Sequence, residues 1–247
     1  MRLLVDIGNS AVKWTSDQGL AAGEVHRSDG VDLRQTLIPL WRGMTPPRRV
    51  AISSVRRGES LVVLRDWIWR QWGLSPYMAE TLGEAFGVVN GYREPARLGV
   101  DRWLALVAAR ARFQSPLLVV DCGSATTLDA LDANGRHLGG VILPGLRLFR
   151  RCLLGNTDIP DPGASGEIDY FATDTATGID SGAILATVAA VERMTSLLQQ
   201  RSPEAVSCLL TGGDAGQLSG QLAVSHRIEP NLVLQGLAIQ AECADKS

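Results

Sequence analysis

The chain has 247 residues, 45% of them hydrophobic, a length that supports two modest domains sharing a substantial core. Its four cysteines, Cys122, Cys152, Cys208 and Cys243, lie far apart with no C-x-x-C pair, which excludes a local zinc or redox motif. A formal net charge of −2 argues against nucleic acid as a partner, and without signal-peptide regions or an apolar run of the ~20 residues that span a bilayer we expect a cytoplasmic protein, no membrane and a small-molecule ligand.

The first predicted element lies in "LLVDIGNSAVKW" (Leu3 to Trp14). An apolar run of this kind reads as a strand covered on both faces, so that Asp6 sits at the strand mouth, where such sheets meet ligands. Helices are predicted over 59–72, 101–113, 175–201 and 232–244, and Trp69 and Trp72 in "WIWRQW" are expected to pack in the core. In "RLGVDRW", Asp101 leads into the second helix as its cap or as a functional acid, both readings being open. Arg102 beside it suits an anionic substrate end, because guanidinium binds carboxylate bidentately.

Residues 117–124, "LLVVDCGS", repeat the pattern of residues 3–10, "LLVDIGNS": an apolar run ending in Asp-x-Gly with a serine after it. Both are followed by a stretch that reads as strand, turn, strand, and Asn134–Gly135 suits a two-residue hairpin turn in the second. Two such halves facing each other would put Asp6 and Asp121 at one cleft. "HLGGVILPGL" reads as a strand ending at Pro144 and Gly145. "NTDIPDPGASGE" (Asn156 to Glu167) has the composition of an exposed loop, and "LLTGGDA" reads as a strand ending in a glycine turn.

The glycine turns Gly8 to Ser10 and Gly123 to Thr127 can bring backbone N–H groups against phosphate oxygens. Ser10, Ser124, Thr126 and Thr127 add hydroxyls, and Lys13 adds a compact positive charge. An acid beside a phosphate calls for a cation between them, so Asp6 is expected to hold Mg²⁺ through water. Each motif taken alone is also an ordinary turn. Gly212 and Gly213 are expected to let the backbone pass close to adenine or ribose, or to serve packing. His26, His137 and His226 have no metal-ligand spacing, and neither a P-loop nor a G-x-S-x-G elbow occurs.

Together and in this order, "DIGNSAVK", "GVDRW", "DCGSATTLD" and "GGVILPGL", with "NGY" (Asn90 to Tyr92) and "LTGGD", resemble the type III pantothenate kinases over nearly the whole chain. The resemblance implies an α/β, actin-like fold of the acetate and sugar kinase, Hsp70 and actin superfamily, with two ribonuclease H-like domains, residues 1–115 and 116–247, and an ATP cleft between them. It implies ATP-dependent phosphorylation of pantothenate to 4′-phosphopantothenate, with Mg²⁺ and a monovalent cation, K⁺ or NH₄⁺.

By matching motifs, Asp101 would be the catalytic base. Asp6, Ile7, Gly8, Asn9, Ser10, Ala11, Val12, Lys13 and Ser124 would bind ATP, and Asp121 the monovalent cation. Tyr92, Gly99, Val100, Asp101, Arg102 and Thr175 would contact pantothenate, with Thr173 and Thr177 as competitors of Thr175. The family is a homodimer with the substrate pocket near the subunit interface. Ser10 and Ser124 stand where the family commonly has threonine, and both keep the hydroxyl. The alternatives are another small-molecule kinase of the superfamily, or a non-catalytic ATP-binding accessory factor, which would have no need of a base.

Overall fold

The computed structural model describes residues 1–30, 32–56 and 58–244. By contacts the chain forms two units: Met1–Arg112 with the stretch from Asn231 on, and Phe113–Pro230.

In the first unit, β1 (Arg2–Ile7) and β2 (Ala11–Ser16) form a hairpin. The expected turn after β2 is a short helix, α1 (Asp17–Ala22), because Ser16 caps it by accepting from the Gly19 N–H at 3.0 Å. β3 (His26–Asp29), α2 (Leu33–Thr36) and α3 (Ile38–Trp41) follow. Next come β4 (Arg49–Ser54), α4 (Glu59–Trp72) and β5 (Tyr77–Met78). A small hairpin, β6 (Glu84–Ala85) and β7 (Val88–Val89), and a 3₁₀ turn at Pro95–Arg97 lead into α5 (Val100–Arg112).

The sheet order is β3-β2-β1-β4-β5, with β1–β4 and β4–β5 parallel. Alternation sorts its two faces: Leu3, Val5, Ile7, Val50 and Ile52 form one core with Leu33, Leu37, Trp41, Leu64 and Ile68. Trp72 joins this core and stacks on Trp41 with ring centroids 5.8 Å apart. Trp69, expected inside, is 61% exposed; it lies about 100° around α4 from Ile68, off the buried stripe.

The second unit repeats the plan. β8 (Leu117–Cys122), β9 (Ala125–Leu131) and β10 (His137–Pro144) are antiparallel neighbours. After α6 (Leu146–Gly155) and α7 (Thr175–Gln199) come β11 (Ser207–Thr211), α8 (Ala215–Ser219) and β12 (His226–Ile228). The order β10-β9-β8-β11-β12 again has its last two pairings parallel. The β9–β10 turn is longer than two residues: Asp132 accepts from the Asn134 and Arg136 N–H groups, and only Gly135 takes a positive φ, 82°.

By length and composition α7 could cross a membrane. Here its Ile184, Val188, Val191 and Leu198 pack into the second core with Leu118, Val120 and Leu210. The last helix, α9 (Leu232–Ala244), follows the second unit in sequence but packs against α5, β1 and β4 of the first. The sequence-based boundary at 115/116 assigns it to the second half.

Candidate active site

Asp6 stands one residue before the end of β1. Its register partners are Lys13 on β2 and Ser53 on β4, so the three side chains share one face of the sheet, opposite the core face of Val5 and Ile7. Asp6 and Lys13 are half-buried, while Ser53 is fully buried and its Oγ has no hydrogen-bond partner among the described residues. The Gly8 N–H donates to the Ala11 carbonyl at 3.0 Å, closing a turn whose Asn9 and Ser10 are exposed. Within the predicted ATP stretch the side chains of Ile7 and Val12 belong to the core. A cleft of about 190 Å³, lined by Ile7, Ser54, Arg56 and Ser60, opens where β1 and β4 end, the usual ligand end of parallel strands.

A second group gathers around the start of α5. The Trp103 N–H donates to the Gly99 carbonyl at 3.0 Å, so Asp101 is in the first turn and is not the N-cap. Its Oδ1 accepts from the Arg102 N–H at 2.8 Å and also fills the space a Gly99 Cβ would need, 2.5 Å away. Arg102, only 7% exposed, donates from Nη1 to the Tyr92 hydroxyl at 2.7 Å. The buried Asn90 fixes Tyr92: its Nδ2 donates to the Leu82 and Pro95 carbonyls, both at 3.1 Å, and its Oδ1 accepts from the Tyr92 N–H at 3.0 Å. The structure thus brings Tyr92, Gly99, Asp101 and Arg102 together. Asn90 escaped functional notice in the sequence; its signal was its place two residues before Tyr92, between a hairpin and a proline.

In the second unit Asp121 occupies the place of Asp6. Its register partners are Thr127 on β9 and Thr211 on β11, matching Lys13 and Ser53. The Gly123 N–H donates to the Ala125 carbonyl at 3.1 Å, as Gly8 does to Ala11, but the second turn is one residue shorter, with Ser124 at its tip. Thr126 points into the core beside Cys122. Gly212, with φ 94°, packs against the Cys122 carbonyl, and a Cβ there would lie 2.6 Å from Asp121 Oδ1. Its lack of a side chain therefore serves contact with its own sheet.

At α7, Asp174 is the N-cap and accepts from the Thr177 N–H at 3.0 Å. That bond, with a second from the Thr177 hydroxyl, holds the Asp174 carboxyl below its usual range. Thr177 is buried and shares a 2.7 Å hydrogen bond with Ser165, whereas Thr173 and Thr175 are exposed. The 156–167 loop, expected only to be exposed, is tied down: Arg150 donates to Asp161 at 2.7 Å, to the Gly163 carbonyl and to Asp180.

Among the described residues no cluster of three or more His, Cys, Asp or Glu could cage a metal. Single carboxylates beside glycine turns suit a hydrated cation shared with phosphates, the usual situation of Mg²⁺.

The duplicated five-stranded sheets, each with an acid at the mouth of its first strand, define a two-unit α/β fold of the actin-like class. Solved structures agree on the fold. One is a Campylobacter jejuni protein assigned to a Baf family of transcriptional activators, with TM-score 0.61, 20% identity, and 99% of this chain and 100% of that one covered. Another is a Sinorhizobium meliloti protein assigned as a 2-dehydro-3-deoxygalactonokinase, with TM-score 0.60, 14% identity and 99% of each chain covered. In sequence, the family model for type III pantothenate kinase matches residues 2–197. Type III pantothenate kinases of Nitrosospira multiformis and Azoarcus sp. are each 39% identical, covering 98% and 99% of this chain and 92% and 93% of theirs. That of Nitrosococcus oceani is 34% identical over 100% of this chain and 96% of its own.

The chain belongs to the type III pantothenate kinase family. It is an ATP-dependent phosphotransferase that acts on the hydroxyl of pantothenate, the first step towards coenzyme A.

Proposed function

We propose that Asp101 accepts the proton of the pantothenate hydroxyl and that Arg102 and Tyr92 hold the substrate beside it. The observation that carries this reading is the chain Asp101–Arg102–Tyr92–Asn90, in which, in the first turn of α5, the Arg102 backbone N–H holds the Asp101 carboxylate while the nearly buried Arg102 side chain is fixed on the Tyr92 hydroxyl. Arg102 supplies the fork for the substrate carboxylate. Gly99 and Val100 give backbone room, and Thr175 adds its hydroxyl, since that of Thr177 is engaged with Ser165.

Gly8 to Lys13 cradle the phosphates of ATP, with Lys13 as the charge, and Ser124 contacts the nucleotide. Asp6 holds Mg²⁺ through water and Asp121 holds K⁺ or NH₄⁺. When bound, these cations neutralise the charge of the transferring phosphoryl group. Positioning then outweighs strong deprotonation, because phosphoryl transfer passes through a loose transition state.

We also place the enzyme in the cytoplasm, as a homodimer joined through the second unit. That unit exposes Ile142 at 61% on its edge strand, with Leu185 and Leu197 on α7, apolar side chains of the kind a subunit interface covers.

The test is formation of 4′-phosphopantothenate from pantothenate, ATP and Mg²⁺, followed by mass spectrometry with and without K⁺ or NH₄⁺. Product that depends on the monovalent cation supports the assignment, and turnover indifferent to it removes the role given to Asp121.

A further inference from the structure

We propose that Ser53 is a positioning residue for Asp6, its buried hydroxyl donating to the Asp6 carboxylate when ATP and its divalent cation are bound. The inference rests on the reading of Asp6 as the acid that holds the hydrated cation.

Three observations carry it. Ser53 is fully buried and its Oγ has no hydrogen-bond partner among the described residues, in a strand whose preceding residues, Val50, Ala51 and Ile52, are apolar and equally buried. An unmade hydrogen bond inside a protein lowers stability, and such a group in a native fold calls for an explanation. Ser53 is also the register partner of Asp6 on the parallel strand β4, so both side chains leave the same face about 4.8 Å apart. Rotation about χ1, which has three staggered wells, suffices to turn the hydroxyl towards the carboxylate. Finally, the second unit repeats the pair: the partner of Asp121 on β11 is Thr211, another buried hydroxyl. An acid at the strand mouth with a hydroxyl beside it on the next parallel strand therefore occurs in both sheets.

Because Ser53 has no exposed surface, it meets neither ATP nor cation directly and acts through Asp6. A hydrogen bond to one carboxylate oxygen selects the oxygen left to face the water of the cation, and a donor to an ionised acceptor is among the stronger hydrogen bonds.

The experiment compares Ser53→Ala with Asp6→Asn in the full-length protein, measuring the melting temperature without ligands, the Mg²⁺-dependent affinity for ATP by calorimetry, and KM for pantothenate. Ser53→Ala is expected to melt at the same temperature or higher, since it removes an unmade hydrogen bond, while Mg²⁺-ATP affinity falls roughly 10-fold and KM for pantothenate stays put. If Asp6→Asn loses Mg²⁺-ATP affinity and Ser53→Ala does not, the inference is overturned and the reading of Asp6 stands. If Ser53→Ala melts lower and both substrates weaken alike, the serine is structural and the inference is overturned. Unchanged affinity in Asp6→Asn overturns the reading of Asp6 itself, and the inference with it.

Discussion

Arg102 donates from Nη1 to the Tyr92 hydroxyl at 2.7 Å, joining the first turn of α5 to the segment that leaves the β6–β7 hairpin. The guanidinium carbon also lies 5.5 Å from the Tyr92 ring centroid, so the tyrosine holds the arginine charge through both its hydroxyl and its ring. A lysine would keep the charge and lose the fork. Arg102→Lys should raise KM for pantothenate roughly 10-fold or more, with a smaller change in KM for ATP, as steady-state kinetics with each substrate varied will show.

Asn90 meets three backbone groups with one side chain. Replacing it by alanine strands the Leu82 carbonyl and the Tyr92 N–H, while the Pro95 carbonyl keeps the Leu98 N–H, at about 1–3 kcal/mol, and frees Tyr92. Asn90→Ala should lower the denaturation midpoint and raise KM for pantothenate, and its effect should be less than additive with that of Tyr92→Phe in a double-mutant cycle.

Much of this was legible in the chain because it depends on neighbours in sequence. The run into Asp6 and its echo at Asp121 predicted two equivalent strand mouths, and the four helices expected from the sequence match α4, α5, α7 and α9 to within two residues at each end. Features that depend on distant partners were not legible. The return of α9 to the first unit is set by packing on α5 and β1, which periodicity does not encode. Ser53 gains its interest only from a β1–β4 register, and Trp69 was misplaced because a tryptophan in an apolar helix looks like core whichever way it faces. The two hairpin predictions missed short-range competition: Ser16 starts a helix, and Asp132 ties a longer turn.

Gly212 should not tolerate a side chain. Its φ of 94° is strained for other residues, and a Cβ would press on the Cys122 carbonyl and the Asp121 carboxylate. Gly212→Ala is expected to cost about 2 kcal/mol or more of stability, read from urea denaturation, and to disturb the response to monovalent cations through Asp121.

The cysteines should divide into two pairs. Burial pushes the Cys208 thiol up to about 11 and the Cys122 thiol higher still, with the Asp121 charge adding to the effect on Cys122. At pH 8 the thiolate fraction of Cys208 is then about one in a thousand. Cys152 and Cys243 are exposed. Iodoacetamide at pH 8 should label those two in the native protein and reach Cys122 and Cys208 only after denaturation, a pattern that peptide mass spectrometry reads directly.

The proposed chemistry centres on Asp101, whose carboxylate accepts from the Arg102 N–H in the first turn of α5. The most direct measurement is kcat of Asp101→Asn for 4′-phosphopantothenate formation at saturating ATP and pantothenate, with the melting temperature taken alongside. Asparagine keeps an oxygen for the Arg102 N–H, so the fold should hold while kcat falls by at least ~100-fold, the lower range for loss of a general base. A variant that folds normally and turns over near the wild-type rate would contradict the account and leave Asp101 as a residue that only completes the start of a helix.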